Sequence, residues 1–256
     1  MYYFDNAATT AQKPKAVSKA VFEALTAGDI GNPSRGAHGY SLKAYDIVLT
    51  AKHRVQTLFN GKDLYDVAFT HNSTVALNMV LKGLIRPGDG VMTTAWEHNA
   101  VLRPLYQLEA LGAELTVIPA ASPTGGLAYG DMEGLLTPKT KWLVCNHASN
   151  VTGNVLDLNR IKAFCRNHCL GLIVDASQTA GAYDIDLSDG IVTAACFTGH
   201  KSLYDRATGE SSSAAASMSS RLLPAATVFI LLRRRSLPWF LLSLKRGRPM
   251  SPALPA

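Results

Sequence analysis

Charge is scarce in this chain: 17% of its 256 residues are Asp, Glu, Lys or Arg. The net charge of +6 is also not spread over the molecule. Through residue 204, 17 basic residues are matched by 17 acidic ones, and the whole excess falls in 205–256. A body without a basic face excludes binding to a phosphate backbone as its main task, so no nucleic-acid partner is expected. Cysteine is scarce too. Cys145, Cys165, Cys169 and Cys196 contain no C-x-x-C pair, which excludes a disulfide framework and a zinc ribbon and reads as reduced thiols; no metal is expected. No apolar run reaches bilayer length: "LLPAATVFILL" (222–232) is 11 residues long and interrupted by Pro224. The opening "MYYFDNAATT" has neither a basic nor an apolar leader region, so no signal peptide and a cytoplasmic location are expected. Internal repeats are missing as well.

What is present is a chain with 47% apolar residues, long enough for a sizeable core. Helical patterns fall at about 14–27, 41–59, 74–83, 98–112, 131–136 and 157–168. Short apolar runs with strand character fall at 66–70, 90–94, 114–118, 141–146, 170–175 and 193–198. Strands apolar on both faces, alternating with helices, predict an α/β fold: a mostly parallel sheet flanked by helices. "RPGDG" (86–90) and "LGAE" (111–114) punctuate it as helix stops before strands.

In an open parallel sheet, ligands sit beyond the carboxyl ends of the strands. Those ends carry or are followed by Ser73 and Thr74 at a helix start, His98, Asn150, Asp175 with Gln178, and His200 with Lys201. Each alone has a bland reading. Ser73 and Thr74 cap a helix, His98 is a satisfied histidine, Asp175 caps a turn, and Lys201 is a solvated lysine. Five strand ends converging on one crevice weaken that reading. A phosphate cradle, an acid at a strand end, a histidine, amides and one lysine together describe a site for pyridoxal phosphate.

The chain resembles the class V aminotransferase-fold enzymes that use pyridoxal 5'-phosphate, most of all the cysteine desulfurase group. The matching stretches are "FDNAATT" (4–10), "NPSRGAH" (32–38), "FTHNSTVALN" (69–78), "EHNAVLRPL" (97–105), "HASNVTG" (147–153), "VDASQTAG" (174–181) and "FTGHKSLY" (197–204). The resemblance implies the large domain of fold-type I enzymes over 1–204. It implies Lys201 as the Schiff-base lysine, Asp175 at the pyridine nitrogen, His98 stacked on the ring and moving protons, and Gln178 at the phenolic oxygen. Asn150 would meet the cofactor or the substrate carboxylate; Thr74, Thr198 and His200, with Ser73, would hold the phosphate. The implied reaction takes L-cysteine to L-alanine and passes sulfur through an enzyme persulfide. The implied partners are a second copy in a homodimer and a sulfur-acceptor protein. Selenocysteine lyases and other class V enzymes share these motifs.

Two departures stand out. The family reads Gly-Thr-Thr where this chain has Asn72-Ser73-Thr74, and Asn for Gly is expected to alter the turn. After Tyr204 the family continues with a Gly/Pro-rich turn, another strand and a smaller C-terminal domain that carries the substrate arginine and the persulfide cysteine. Here, 38 of residues 205–256 are Ser, Ala, Leu, Arg or Pro. That change fits a shifted reading frame. It leads us to expect a tail without structure, no C-terminal domain, an unpaired sheet edge after the Lys201 strand, and a chain inactive as given. Two alternatives are a non-catalytic fragment and membrane-surface association through the basic stretch 222–246.

Overall fold

The structure is a computed structural model and describes residues 2–122, 125–201 and 228–234. Its centre is a seven-stranded sheet in the order β1-β7-β6-β5-β4-β2-β3. The strands are β1 (Tyr65–Thr70), β2 (Gly90–Thr94), β3 (Glu114–Ile118), β4 (Thr140–Asn146), β5 (Gly171–Asp175), β6 (Val192–Thr198) and β7 (Val228–Arg233). The run β3-β2-β4-β5-β6 is parallel. Five helices accompany it: α1 (Lys15–Thr26), α2 (Gly39–Leu58), α3 (Ser73–Leu84), α4 (Asn99–Ala110) and α5 (Leu158–Asn167).

Alternation along each strand builds two cores. Leu172 and Val174 of β5, Ala195 and Phe197 of β6, and Leu231 of β7 pack with Val55 of α2 and Ile161 and Phe164 of α5. Ile173, Ala194, Cys196, Ile230 and Leu232 point the other way, against Leu77 and Leu81 of α3 and Val101 and Leu105 of α4. This two-sided burial is why the strands read as continuous apolar runs.

Two expectations are corrected. The helix predicted at 131–136 is a pair of single 3-10 turns, Tyr129–Asp131 and Glu133–Leu135. Gly130, Gly134 and Pro138 break the segment before an α-helix can propagate. The edge expected after β6 is filled instead, because β7 lies antiparallel between β6 and β1, with Cys196 opposite Ile230 and Val67 opposite Leu231. Leu231 is buried on one face of β7 and Ile230 and Leu232 on the other, which is what the middle of a two-sided sheet requires. The expected structureless tail therefore contains a strand at 228–233, and these residues are not available to a membrane-surface segment. The remainder of 205–256, apart from Arg234, lies outside the described residues. Among the described residues no helix is long and apolar enough to cross a membrane.

Candidate active site

Beyond the carboxyl ends of the parallel strands lies a cleft of about 170 Å³, several times the ~30 Å³ share of one water, so it accepts a ring-sized molecule. All nine residues singled out from the sequence line it: Ser73, Thr74, His98, Asn150, Asp175, Gln178, Thr198, His200 and Lys201.

One wall is the start of α3. Asn72 caps it, its Oδ1 accepting from the Val75 N–H at 2.8 Å. The φ of Asn72 is −161°, extended backbone that any residue adopts, so asparagine in place of the family's glycine leaves the turn unstrained. The Ser73 and Thr74 amides in the first turn lie outside the intrahelical ladder, at the positive end of the helix dipole. The opposite wall is the start of α4. There His98 Nδ1 accepts from the Ala100 N–H at 3.0 Å, so a neutral imidazole carries its proton on Nε2.

The floor is built from strand ends. Asp175 is buried, and its Oδ1 accepts from the Ser177 N–H at 3.0 Å and the Ser177 hydroxyl at 2.5 Å. Burial pushes its carboxyl up, opposed by those two bonds and by the charges of His98 and Lys201. Thr198 ends β6, and its hydroxyl is buried without a partner among the described residues. Lys201 is half-buried. Desolvation holds its ammonium below the usual lysine value, while Asp175 pulls the other way. His200 is likewise held low by burial and by Lys201 and Lys13.

A segment near the N-terminus closes the rim. Gln178 donates to the Ala7 carbonyl at 3.1 Å, and His200 Nδ1 meets Thr9 Oγ1 at 3.1 Å. The Lys13 ammonium donates to the Thr10 and His200 carbonyls at 2.7 and 2.8 Å. Asn150 is presented by the turn after β4, where Ser149 Oγ accepts from the Val151 and Thr152 N–H groups.

Sequence reasoning missed several lining residues: Asn72, Asn146 and Ser177. Ser177 had a signal, since Asp followed two residues on by Ser is a turn pattern in which the carboxylate takes the serine N–H. Asn146, inside a strand, had none.

The model of the class-V aminotransferases matches residues 2–206. The chain belongs to the class-V aminotransferase family. Among curated proteins it is 32% identical over 203 residues to the cysteine desulfurase IscS of Ruthia magnifica subsp. Calyptogena magnifica, covering 78% of this chain and 50% of that one. It is 30% identical over 211 residues to the IscS of Vibrio campbellii, covering 81% and 52%. The apo structure of a cysteine desulfurase from Thermococcus onnurineus NA1 superposes with a TM-score of 0.77 at 25% identity, covering 93% of this chain and 55% of that one. The cysteine desulfurase CsdA from Escherichia coli gives 0.69 at 27%, covering 92% and 54%. The chain thus spans about half the length of the relatives it matches.

Proposed function

We propose that this cleft binds pyridoxal 5'-phosphate and is the cofactor half of a cysteine desulfurase, in which L-cysteine and a thiol give L-alanine and a persulfide. The observation carrying this reading is the pairing of a buried acid, Asp175, and a half-buried amine, Lys201, in one cleft flanked by the start of α3.

The donor set fits the cofactor. The hydroxyl of Thr198 lacks a partner among the described residues, and with Ser73, Thr74 and His200 it supplies donors for a phosphate. Asp175, raised by desolvation, gains by facing a cationic ring N–H. Gln178 has a second N–H for the phenolic oxygen, and the imidazole of His98 offers a flat face. Bound there, the cofactor would supply an electron sink for negative charge on the substrate. The amine of Lys201, made available by its lowered pKa, would hold the cofactor's aldehyde carbon and, once the substrate amine has displaced it, would be the base placed for the substrate Cα proton. His98 carries a proton on Nε2 and stands ready to pass it on.

The sulfur acceptor is a different matter. Cys145, Cys165 and Cys196 are buried, and Cys169 precedes β5, at the strand end away from Asp175. None lines the cleft. A thiol from elsewhere must therefore take the sulfur, which favours a second reading, a chain that binds cofactor without turnover. The first reading also includes a homodimer, a separate sulfur-acceptor protein and a cytoplasmic setting. Exposed Phe22 and Leu25 on α1 and Leu42, Tyr45 and Leu49 on α2 offer apolar surface for the second subunit.

The test is to load the chain with pyridoxal phosphate and add L-cysteine with and without a small external thiol. Alanine formed only with the thiol supports the desulfurase. A normal cofactor spectrum with no alanine in either case selects the non-catalytic reading, and no cofactor spectrum at all rejects both.

A further inference from the structure

At the base of the cleft, two neighbouring buried side chains each leave an oxygen without a partner among the described residues. Glu97 follows β2 and Asn146 ends β4. Glu97 Oε1 accepts from the Thr94 hydroxyl at 2.5 Å and from the Asn146 N–H at 2.9 Å, so the carboxyl lies against Asn146. The Asn146 amide donates to the Trp96 carbonyl at 2.6 Å, which fixes which end of that side chain is nitrogen. Among the described residues, Glu97 Oε2 and Asn146 Oδ1 are buried without partners. If Glu97 were a carboxylate, both would be acceptors lacking a donor, a costly arrangement in a dry interior. A single proton on Oε2 makes one of them a donor.

The surrounding charges point the same way. Burial pushes the Glu97 carboxyl up to about 8, and Asp175 on β5, beyond β4, opposes a second negative charge. Cys145 on β4 is a buried thiol held well above its ordinary value, first by burial and then by Glu97. The ammonium of the site, Lys201, acts on Asp175. The leading influences on Glu97 are its burial, which raises it, and the hydrogen bonds from Thr94 and Asn146, which oppose that rise.

We propose that Glu97 is a positioning residue that keeps its proton at neutral pH and donates it from Oε2 to the Asn146 side-chain oxygen, making a neutral pair beneath the cleft. Asn146 is the register partner of Asp175 on the adjacent strand, so the pair fixes the strand end beside that acid. It also leaves Asp175 as the single carboxylate charge there. The proposal rests on the cofactor reading only for this last consequence, that one charge faces the ring nitrogen.

Infrared spectroscopy of the full chain, carrying carboxyl-13C glutamate and free of cofactor, tests it. A protonated glutamate carbonyl band at neutral pH, lost as pH rises through about 8 and shifted by Asn146→Leu, is the expected result. Absence of the band overturns the proposal, and a band that Asn146→Leu leaves in place overturns the pairing. A second readout is cofactor affinity. Glu97→Gln, which mimics the neutral acid, should stay within about threefold, while Glu97→Ala should lose roughly tenfold or more. Equal losses in both variants contradict a neutral positioning residue. A chain that binds no cofactor leaves the infrared result intact, so the two readings fail separately.

Discussion

The sheet buries acids at both ends of its strands, and it treats them differently. At the amino ends, Asp89 accepts from the Lys141 ammonium at 2.7 Å, the Arg86 N–H at 2.9 Å and the Trp142 indole at 3.3 Å. Burial alone would raise its carboxyl, but these bonds outweigh it and hold the group below its ordinary value. Even Gly171 serves the arrangement, since a Cβ there would come within 2.3 Å of the Trp142 ring. At the carboxyl ends, Asp175 and Glu97 are buried without a hydrogen-bonded cation among the described residues, and both are pushed up. The buried polar atoms of Thr93, Glu97, Asn146 and Thr198 that lack a partner among the described residues gather at this same end. The amino end has used its polar groups to hold the fold; the carboxyl end has kept polar groups uncommitted, which is where a ligand is expected.

The sharpest way to break this comparison is to neutralise one acid at each end. Asp89→Asn should cost about 1–3 kcal/mol of stability in denaturant melts and leave cofactor affinity unchanged. Asp175→Asn should leave the cofactor-free chain as stable or more so, yet weaken pyridoxal phosphate binding roughly 10–100-fold by fluorescence titration. The comparison fails if both variants move the same quantity.

A smaller effect concerns pH. Glu97 releases its proton at an ordinary 4.5 when unfolded but at about 8 when folded. Across that interval the folded chain binds more protons, so this residue makes stability fall as pH rises, with the loss complete above about 8. Glu97→Gln should flatten stability-versus-pH curves in that window, and an unchanged slope would assign the titration elsewhere. The smallest effect belongs to the rim. Lys13→Met removes the ammonium holding the Thr10 and His200 carbonyls together and should weaken cofactor binding about 2–5-fold with little change in melting.

The six strands from β1 to β6 were legible to within a residue, because each is a short apolar run between turn signals, and in β2, β5 and β6 burial on both faces makes that run continuous. The nine cleft residues were legible for a related reason: in a parallel sheet, whatever follows each strand meets at one edge. β7 was not. Its neighbours in the chain carry the composition of a tail, and its membership in the sheet depends on a gap between β1 and β6 that no local pattern displays. The turns near 131–136 imitated a helix because glycine spacing matters more there than apolar spacing. Glu97 and Asn146 escaped notice because their meaning lies in a contact between strand ends about fifty positions apart.

The most direct test of the central claim is to incubate the full chain with pyridoxal phosphate, reduce it with borohydride and map the modified lysine by mass spectrometry. The account predicts a single stoichiometric adduct on Lys201, absent in Lys201→Ala. An adduct spread over surface lysines, with Lys201 unmodified, would contradict it.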